Sequence, residues 1–183
     1  MRARLVPCYG GVLVGFVALT AMGVLEWPLT HHAVFYGTLI LFTLSLCDDV
    51  YGVPWWHRLA WHLGVAALVG FELGFRGWEI VLVTVAVARM TNLYNFMDGL
   101  DGLAPSMGAA GFGVLGGLAM LQASEIGWVA LGIALAALLV VPMNWPPAAV
   151  YLGDNGSIPL GFLAATLGLL GIQEGLWEWS IPV

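Results

Sequence analysis

The sequence contains no lysine, and its five basic residues are all arginine. Charged residues of both signs make up only 9% of the 183 positions, where a soluble domain carries about 25%. That scarcity excludes an ordinary soluble domain. The formal net charge of −6, with no cluster of basic residues, excludes a nucleic-acid-binding protein. The two cysteines, Cys8 and Cys47, are too few for a disulfide framework and do not stand at metal-ligand spacing. They read as small apolar side chains in or near helices. The first apolar run also lacks the polar, small-residue cleavage region of a signal peptide, and more apolar runs follow it.

Hydrocarbon is what the chain has in quantity: 61% of residues are hydrophobic and the mean hydropathy is +0.93. Seven apolar runs follow one another, Leu5–Leu25, Ala33–Cys47, Leu59–Phe71, Ile80–Met97, Leu103–Leu121, Gly127–Met143 and Ile158–Gln173. A membrane-crossing helix needs roughly 20 residues, fewer where polar ends are included. The pattern predicts an all-α polytopic transmembrane bundle of about seven spans, a single integral membrane domain over residues 1–183. Gly11 and Gly15, four apart in the first run, predict close helix packing. Polar turns are expected at Asp48–Pro54 and Tyr151–Ser157, with Ser157 as N-cap of the last span and Pro159 in its first turn. Trp177 and Trp179 suit an interfacial belt.

The chemistry-bearing stretch is Asn92–Ala104, which holds two carboxylates, two carboxamides and two glycines between apolar runs. Asn92, Asn95, Asp98 and Asp101 repeat every three residues, so an ideal helix would set them within one broad face. An all-oxygen face suits a hard divalent cation, Mg²⁺ rather than zinc or copper. A polar helix end at a membrane surface is the plainer reading, and it explains four such residues on one face poorly.

Parity then sorts the links. Asp48-Asp49, the Asn95–Asp101 motif and the Asn144–Ser157 turn fall on one side of the membrane, while Glu26, Glu72, Arg76, Glu79, Glu125 and Glu174 fall on the other. Arg2, Arg4 and Arg58 join the first side against Arg76 opposite, which assigns it to the cytoplasm. Asp48, Asp49, Asp98, Asp101 and Asp154 thus gather at one face, where they repel unless a cation offsets them. Mg²⁺ takes one or two carboxylates and fills its shell with water and phosphate, which points to phosphoryl transfer on a lipid phosphate. Asp154, just before a helix start, has a helix-capping reading as well.

Other residues keep two readings. His57 and Arg58 either reach a phosphate or mark a positive-inside helix start. His31 and His32 fall on the opposite side and read as a polar link. Arg89, inside a span, either pairs with a carboxylate of the cluster or snorkels to the surface.

Asp48-Asp49, then Asn95–Ala104, then Asn144-Trp145-Pro146-Pro147-Ala148 with Gly153-Asp154-Asn155-Gly156-Ser157 resemble the ordered signature of one family, the polyprenyl-phosphate N-acetylhexosamine-1-phosphate transferases (bacterial glycosyltransferase family 4). The resemblance covers essentially the whole chain and is closer to the branch that initiates cell-surface polysaccharide or O-antigen synthesis. It implies an enzyme of the inner membrane with a cytoplasmic site, which moves an N-acetylhexosamine-1-phosphate from a UDP-sugar to undecaprenyl phosphate and releases UMP. It implies Mg²⁺, with Mn²⁺ admissible, and admits a homodimer. By matching positions, Asp154 would be the leading metal ligand, with Asp98 beside it. Asp48 and Asp49 would position or deprotonate the lipid phosphate, or assist the metal. Asn95, Asp98 and Asp101 would shape the nucleotide-sugar site, and Asn144 would support it. The chain is expected to be shortened at both ends relative to this family, without its first span or its C-terminal spans with their His- and Arg-rich loop. A truncated non-catalytic paralogue, or one part of a split enzyme that binds lipid phosphate or a partner, is the alternative.

Overall fold

The computed structural model describes residues 7–178, so Arg2, Arg4 and Trp179 lie outside the described residues. Within them the chain is all helical: α1 (Gly10–Val24), the single turn α2 (Trp27–Thr30), α3 (His32–Tyr51), α4 (Trp55–Glu72), α5 (Trp78–Met97), α6 (Leu103–Met120), α7 (Glu125–Asn144) and α8 (Asp154–Gln173). Setting aside the single turn, each of the seven expected spans has its helix. The last four are long and apolar enough to cross a membrane, and α1 is a shorter apolar helix. The protein is an integral membrane helical bundle.

α8 sits at the centre, packed by α1, α3, α5 and α6. Its glycines let the neighbours come close. A Cβ on Gly156 would lie 2.5 Å from the Cα of Gly11 in α1, and one on Gly161 would lie 2.6 Å from the Met90 carbonyl of α5. Small-residue contact of this kind is how membrane helices gain packing where lipid offers no hydrophobic drive. The expected role of Gly11 and Gly15 holds, since Gly11 meets Gly156 and Gly15 meets the Phe42 ring of α3.

Four local expectations change. The first helix starts at Gly10, because Pro7–Tyr9 is drawn instead into hydrogen bonds with the loop before α8. Tyr151 N donates to Pro7 O (2.9 Å), and Gly10 N and Gly11 N donate to Tyr151 O and Leu152 O (3.1 and 2.8 Å). Asp48 and Asp49 belong to the last turn of α3, which stops only at Gly52, with φ +68°, and the following Val53-Pro54. Ser157 is not an N-cap: α8 begins at Asp154, after Gly153, and the Ser157 hydroxyl lies 3.1 Å from the Gly153 carbonyl one turn back. Trp177 is buried rather than interfacial. Its ring covers Gly171 and its Nε1 donates to Gly168 O at 3.0 Å, closing the chain back on α8.

The grouping of links at two ends of the bundle, drawn from parity, appears in the contacts. At the end opposite the carboxylates, Glu72 accepts from Ala33 N at 2.7 Å and lies 3.7 Å from His32. Ser124 Oγ donates to Glu174 at 2.9 Å on the same side.

Candidate active site

The three-residue repeat of Asn92, Asn95, Asp98 and Asp101 does not lie on one helix. α5 ends at Met97, Asp98 caps it and Asp101 sits in the turn before α6. Asn92 therefore turns to α4, where its Nδ2 lies 3.3 Å from Nδ1 of the buried His62. Asn95 faces α8, with its Oδ1 3.3 Å from the Ser157 hydroxyl.

The carboxylates come together around α8. Arg58 Nη1 donates to Asp48 Oδ2 and to Asp154 Oδ2, both at 2.7 Å, and so ties α3, α4 and α8 with one guanidinium. The other oxygen of Asp48 accepts from Val53 N, so both of its oxygens are occupied. Asp49 Oδ2 accepts from Asn155 Nδ2, which also donates to the Cys8 carbonyl at 3.1 Å. Asp98 Oδ2 accepts from Gly153 N at 2.9 Å, and Asp101 Oδ2 from Ala148 N at 3.3 Å. Gly153 has φ +77°, and a Cβ there would stand 3.1 Å from that of Cys8, so this junction requires glycine.

Asn144 holds the two loops together. It is 1% exposed, its Oδ1 accepts from Gly102 N at 2.7 Å and its Nδ2 donates to Val150 O at 2.9 Å. Both polar ends are turned inward, so it shapes the site without an arm left for a ligand. His57 is not brought to the cluster: it is exposed and stacked on Trp56, ring centroids 3.5 Å apart. Arg89 has no ion pair among the described residues, which removes its pairing with the cluster.

Two residues missed by assignment from sequence are Asn155 and Ser157, which link Asp49 and Asn95 to the head of α8. Both stood in the Gly153–Ser157 motif, but an N-cap reading of Ser157 hid their position inside the first helical turn.

The electrostatics of this end are unbalanced. Of the five carboxylates only Asp48 and Asp154 pair with Arg58, and Asp98 Oδ1 is buried with no hydrogen-bond partner among the described residues. Burial, with the charges of Asp154, Asp49 and Asp101 adding to it against the Gly153 N–H, pushes the Asp98 carboxyl up to about 7. A carboxylate held so far above its ordinary range marks a place where a further positive charge is favoured. No three titratable side chains close a metal cage among the described residues. The donors fit a hard cation bound by one or two carboxylates, with an orphaned oxygen on Asp98 ready for it.

The fold and this site define a polytopic helical membrane protein that concentrates acid at one end of its bundle. Residues 31–172 match the model of glycosyl transferase family 4, and the chain belongs to that family. It is similar to a probable undecaprenyl-phosphate N-acetylglucosaminyl 1-phosphate transferase of Bacillus subtilis, 29% identical over 98% of this chain and 55% of the relative. It is also similar to a phospho-N-acetylmuramoyl-pentapeptide-transferase of Limosilactobacillus fermentum, 30% identical over 97% of this chain and 62% of the relative. Another of that name, from Staphylococcus saprophyticus, is 33% identical over 107 residues, covering 58% of this chain and 33% of the relative. The chain thus spans little more than half the length of the first two.

Proposed function

We propose that the protein transfers an N-acetylhexosamine-1-phosphate from a UDP-sugar to undecaprenyl phosphate at the cytoplasmic face of the bacterial inner membrane, releasing UMP, as the first step of a cell-surface polysaccharide. The observation that carries this reading is the gathering of five carboxylates at one end of the bundle, two of which, Asp48 and Asp154, pair with Arg58. The lipid phosphate oxygen attacks the sugar-bearing phosphorus, a new P–O bond forms, and the bond to the UMP oxygen breaks. The phosphate is already ionised at neutral pH, so the step needs positioning more than a base.

In this reading Asp98 and Asp154 would hold Mg²⁺, which when bound neutralises phosphate charge and favours departure of UMP. Arg58 holds Asp154 in place until substrate arrives and then offers its guanidinium to a phosphate. Asp48, locked by Val53 and Arg58, orients that guanidinium. Asp49 and Asn155 fix the loop that ends in Gly10, and Asn95 and Asp101 line the nucleotide-sugar side.

The test is an assay of the purified chain with undecaprenyl phosphate, Mg²⁺ and a panel of UDP-N-acetylhexosamines, reading UMP and lipid-linked product together. Product in the wild type is expected. Silence across the panel with cation binding intact would replace the enzyme with a lipid-phosphate-binding relative.

The cation has a pH signature. Because Asp98 must lose its proton to bind, Mg²⁺ affinity is expected to rise about tenfold per pH unit below 7 and level off above it. The sign in the cation-free protein is opposite. The folded carboxyl is pushed up to about 7 from an ordinary 3.8, so the folded state binds the extra proton and loses stability as pH climbs from 4 to 7. Calorimetric titration with Mg²⁺ at several pH values, with thermal unfolding alongside, measures both. A flat affinity across pH 5–8 would remove Asp98 as a ligand.

A further inference from the structure

Between α3 and α4, beside the pair of Arg58 and Asp48, lies a cavity of about 20 Å³. Its apolar wall includes Leu41 and Ile158, and its polar lining is Ser45, Asp48, Arg58 and His62. The size decides what can enter. One water needs about 10–15 Å³ of such space, so the cavity takes a single water and no phosphate.

Helical spacing brings its polar groups together. His62 follows Arg58 by four residues on α4, and Ser45 precedes Asp48 by three on α3, so each pair shares a face. His62 and Ser45 are thus one turn deeper than the ion pair. His62 stands seven residues, about 10 Å, from the start of α4. At that depth neither bulk water nor lipid supplies a partner, and an unmet polar group is costly.

Both residues carry such a group. Ser45 is 3% exposed, and its hydroxyl makes no hydrogen bond among the described residues. Thr38 and Thr43 of the same helix differ, since each donates to the carbonyl four residues back at 2.7 Å. His62 is 5% exposed, and among the described residues its ring is met only at Nδ1. Asn92 fixes which ring nitrogen carries the proton. Its Nδ2 donates to Ala88 O at 2.7 Å, which sets the amide nitrogen on that side, and the same Nδ2 lies 3.3 Å from His62 Nδ1. Nδ1 therefore accepts, the ring is neutral, and Nε2–H is a donor left for the cavity. A hydrogen bond that merely joins α4 to α5 accounts for Nδ1 but leaves Nε2–H and the Ser45 hydroxyl without a purpose.

We propose that His62 is a positioning residue that acts through one buried water. The water accepts from His62 Nε2–H, shares a hydrogen bond with Ser45 Oγ and donates to the Asp48 carboxylate. Three partners are what a buried water takes. Asp48 already accepts from Val53 N and Arg58, and its oxygens keep lone pairs for a third bond. That bond stiffens the carboxylate, and with it the guanidinium that Asp48 orients. The consequence for turnover rests on the transferase reading, whereas the water and its hold on Arg58 do not.

The test uses the full chain in phosphatidylcholine vesicles, isotope-labelled at its histidine and arginine nitrogens, by solid-state magnetic resonance. His62 is expected as the Nε2–H tautomer with a cross-peak to a slowly exchanging water, and the two Nη signals of Arg58 are expected to be distinct. His62→Phe and Arg58→Lys identify the signals by removing them. Ser45→Val fills the cavity and is expected to abolish the water cross-peak. In Ser45→Val and in His62→Phe the Arg58 Nη signals are expected to average together, and His62→Gln, which keeps a donor at that reach, restores the separation. In the transfer assay, normalised to folded protein, His62→Phe and Ser45→Val are each expected to lower kcat/KM about tenfold. The double variant loses no more than either alone, because both remove the same water. An Nδ1–H tautomer, an Nε2–H without a water cross-peak, Arg58 signals unmoved in His62→Phe, or losses that multiply in the double variant overturns the inference. The wild-type spectrum decides it even where a variant misfolds. A wild-type chain that transfers nothing removes the transferase reading, and the spectra still decide this one.

Discussion

Asp98→Asn is expected to cost transfer at least about 100-fold while leaving the bundle inserted and folded. The carboxamide keeps the shape of the carboxyl and an oxygen for the Gly153 N–H, so the head of α8 stays where it is. What disappears is the charge on a buried oxygen that nothing in the protein satisfies. Asp154→Asn is expected to lose a comparable factor, since it removes the second carboxylate charge and with it the charge assistance in the tie of Arg58 to α8. The assay is UMP release with undecaprenyl phosphate and UDP-sugar, normalised to folded protein by size-exclusion profile. Turnover within a few-fold of wild type in Asp98→Asn would remove the cation role from this residue.

Gly11→Ala is expected to destabilise the protein by about 3 kcal/mol, a large effect for one methyl group. A Cβ at that position would stand 2.2 Å from the Asn155 Oδ1 and 2.2 Å from the Gly156 N, and backbone cannot step aside as a side-chain tip can. α1 must then separate from α8, and the loop that carries Cys8 loses its grip on Asn155. Gly113→Ala supplies the control, because a Cβ there meets nothing within 4 Å and the helix gains up to about 1 kcal/mol in propensity. Thermal unfolding in detergent should separate the two variants in opposite directions. Equal melting would mean that α1 and α8 do not touch as described.

The class of fold was legible because membrane spans announce themselves by length and apolarity, and all seven long helices overlap the runs seen in the sequence. The grouping of the acidic motifs at one end was legible too, since strict alternation carries each of them there. What the sequence hid was the fate of polar residues near helix ends. Asp48 and Asp49 looked like turn residues, but Arg58 meets Asp48, Asn155 meets Asp49, and both remain in α3. Ser157 looked like a cap because serine favours that place, yet Gly153 takes it by adopting a conformation that serine would resist. Asn144 was expected to support the nucleotide-sugar site, and only the three-dimensional arrangement shows its Oδ1 and Nδ2 joined to the backbone of Gly102 and Val150. Arg89 could not be placed by pattern at all, because whether it has a partner depends on helices far away in sequence.

The central helix has a bearing on how the molecule is made. α8 follows α1 to α7 in the chain, yet 78% of its span is buried, against 28% for α5. During biosynthesis the earlier helices therefore enter the bilayer before the element that organises them exists. Asp49, Asn95 and Asp98 reach the membrane surface first, and each waits for a partner between Gly153 and Ser157. The contacts of Asp49, Asn95 and Asp98 are thus completed only when α8 arrives, whereas Asp48 with Arg58 and Asp101 with Ala148 need nothing beyond the earlier chain. Until that moment the nascent chain has helices but no site, and quality control that samples it earlier meets a half-built bundle with exposed polar groups in lipid.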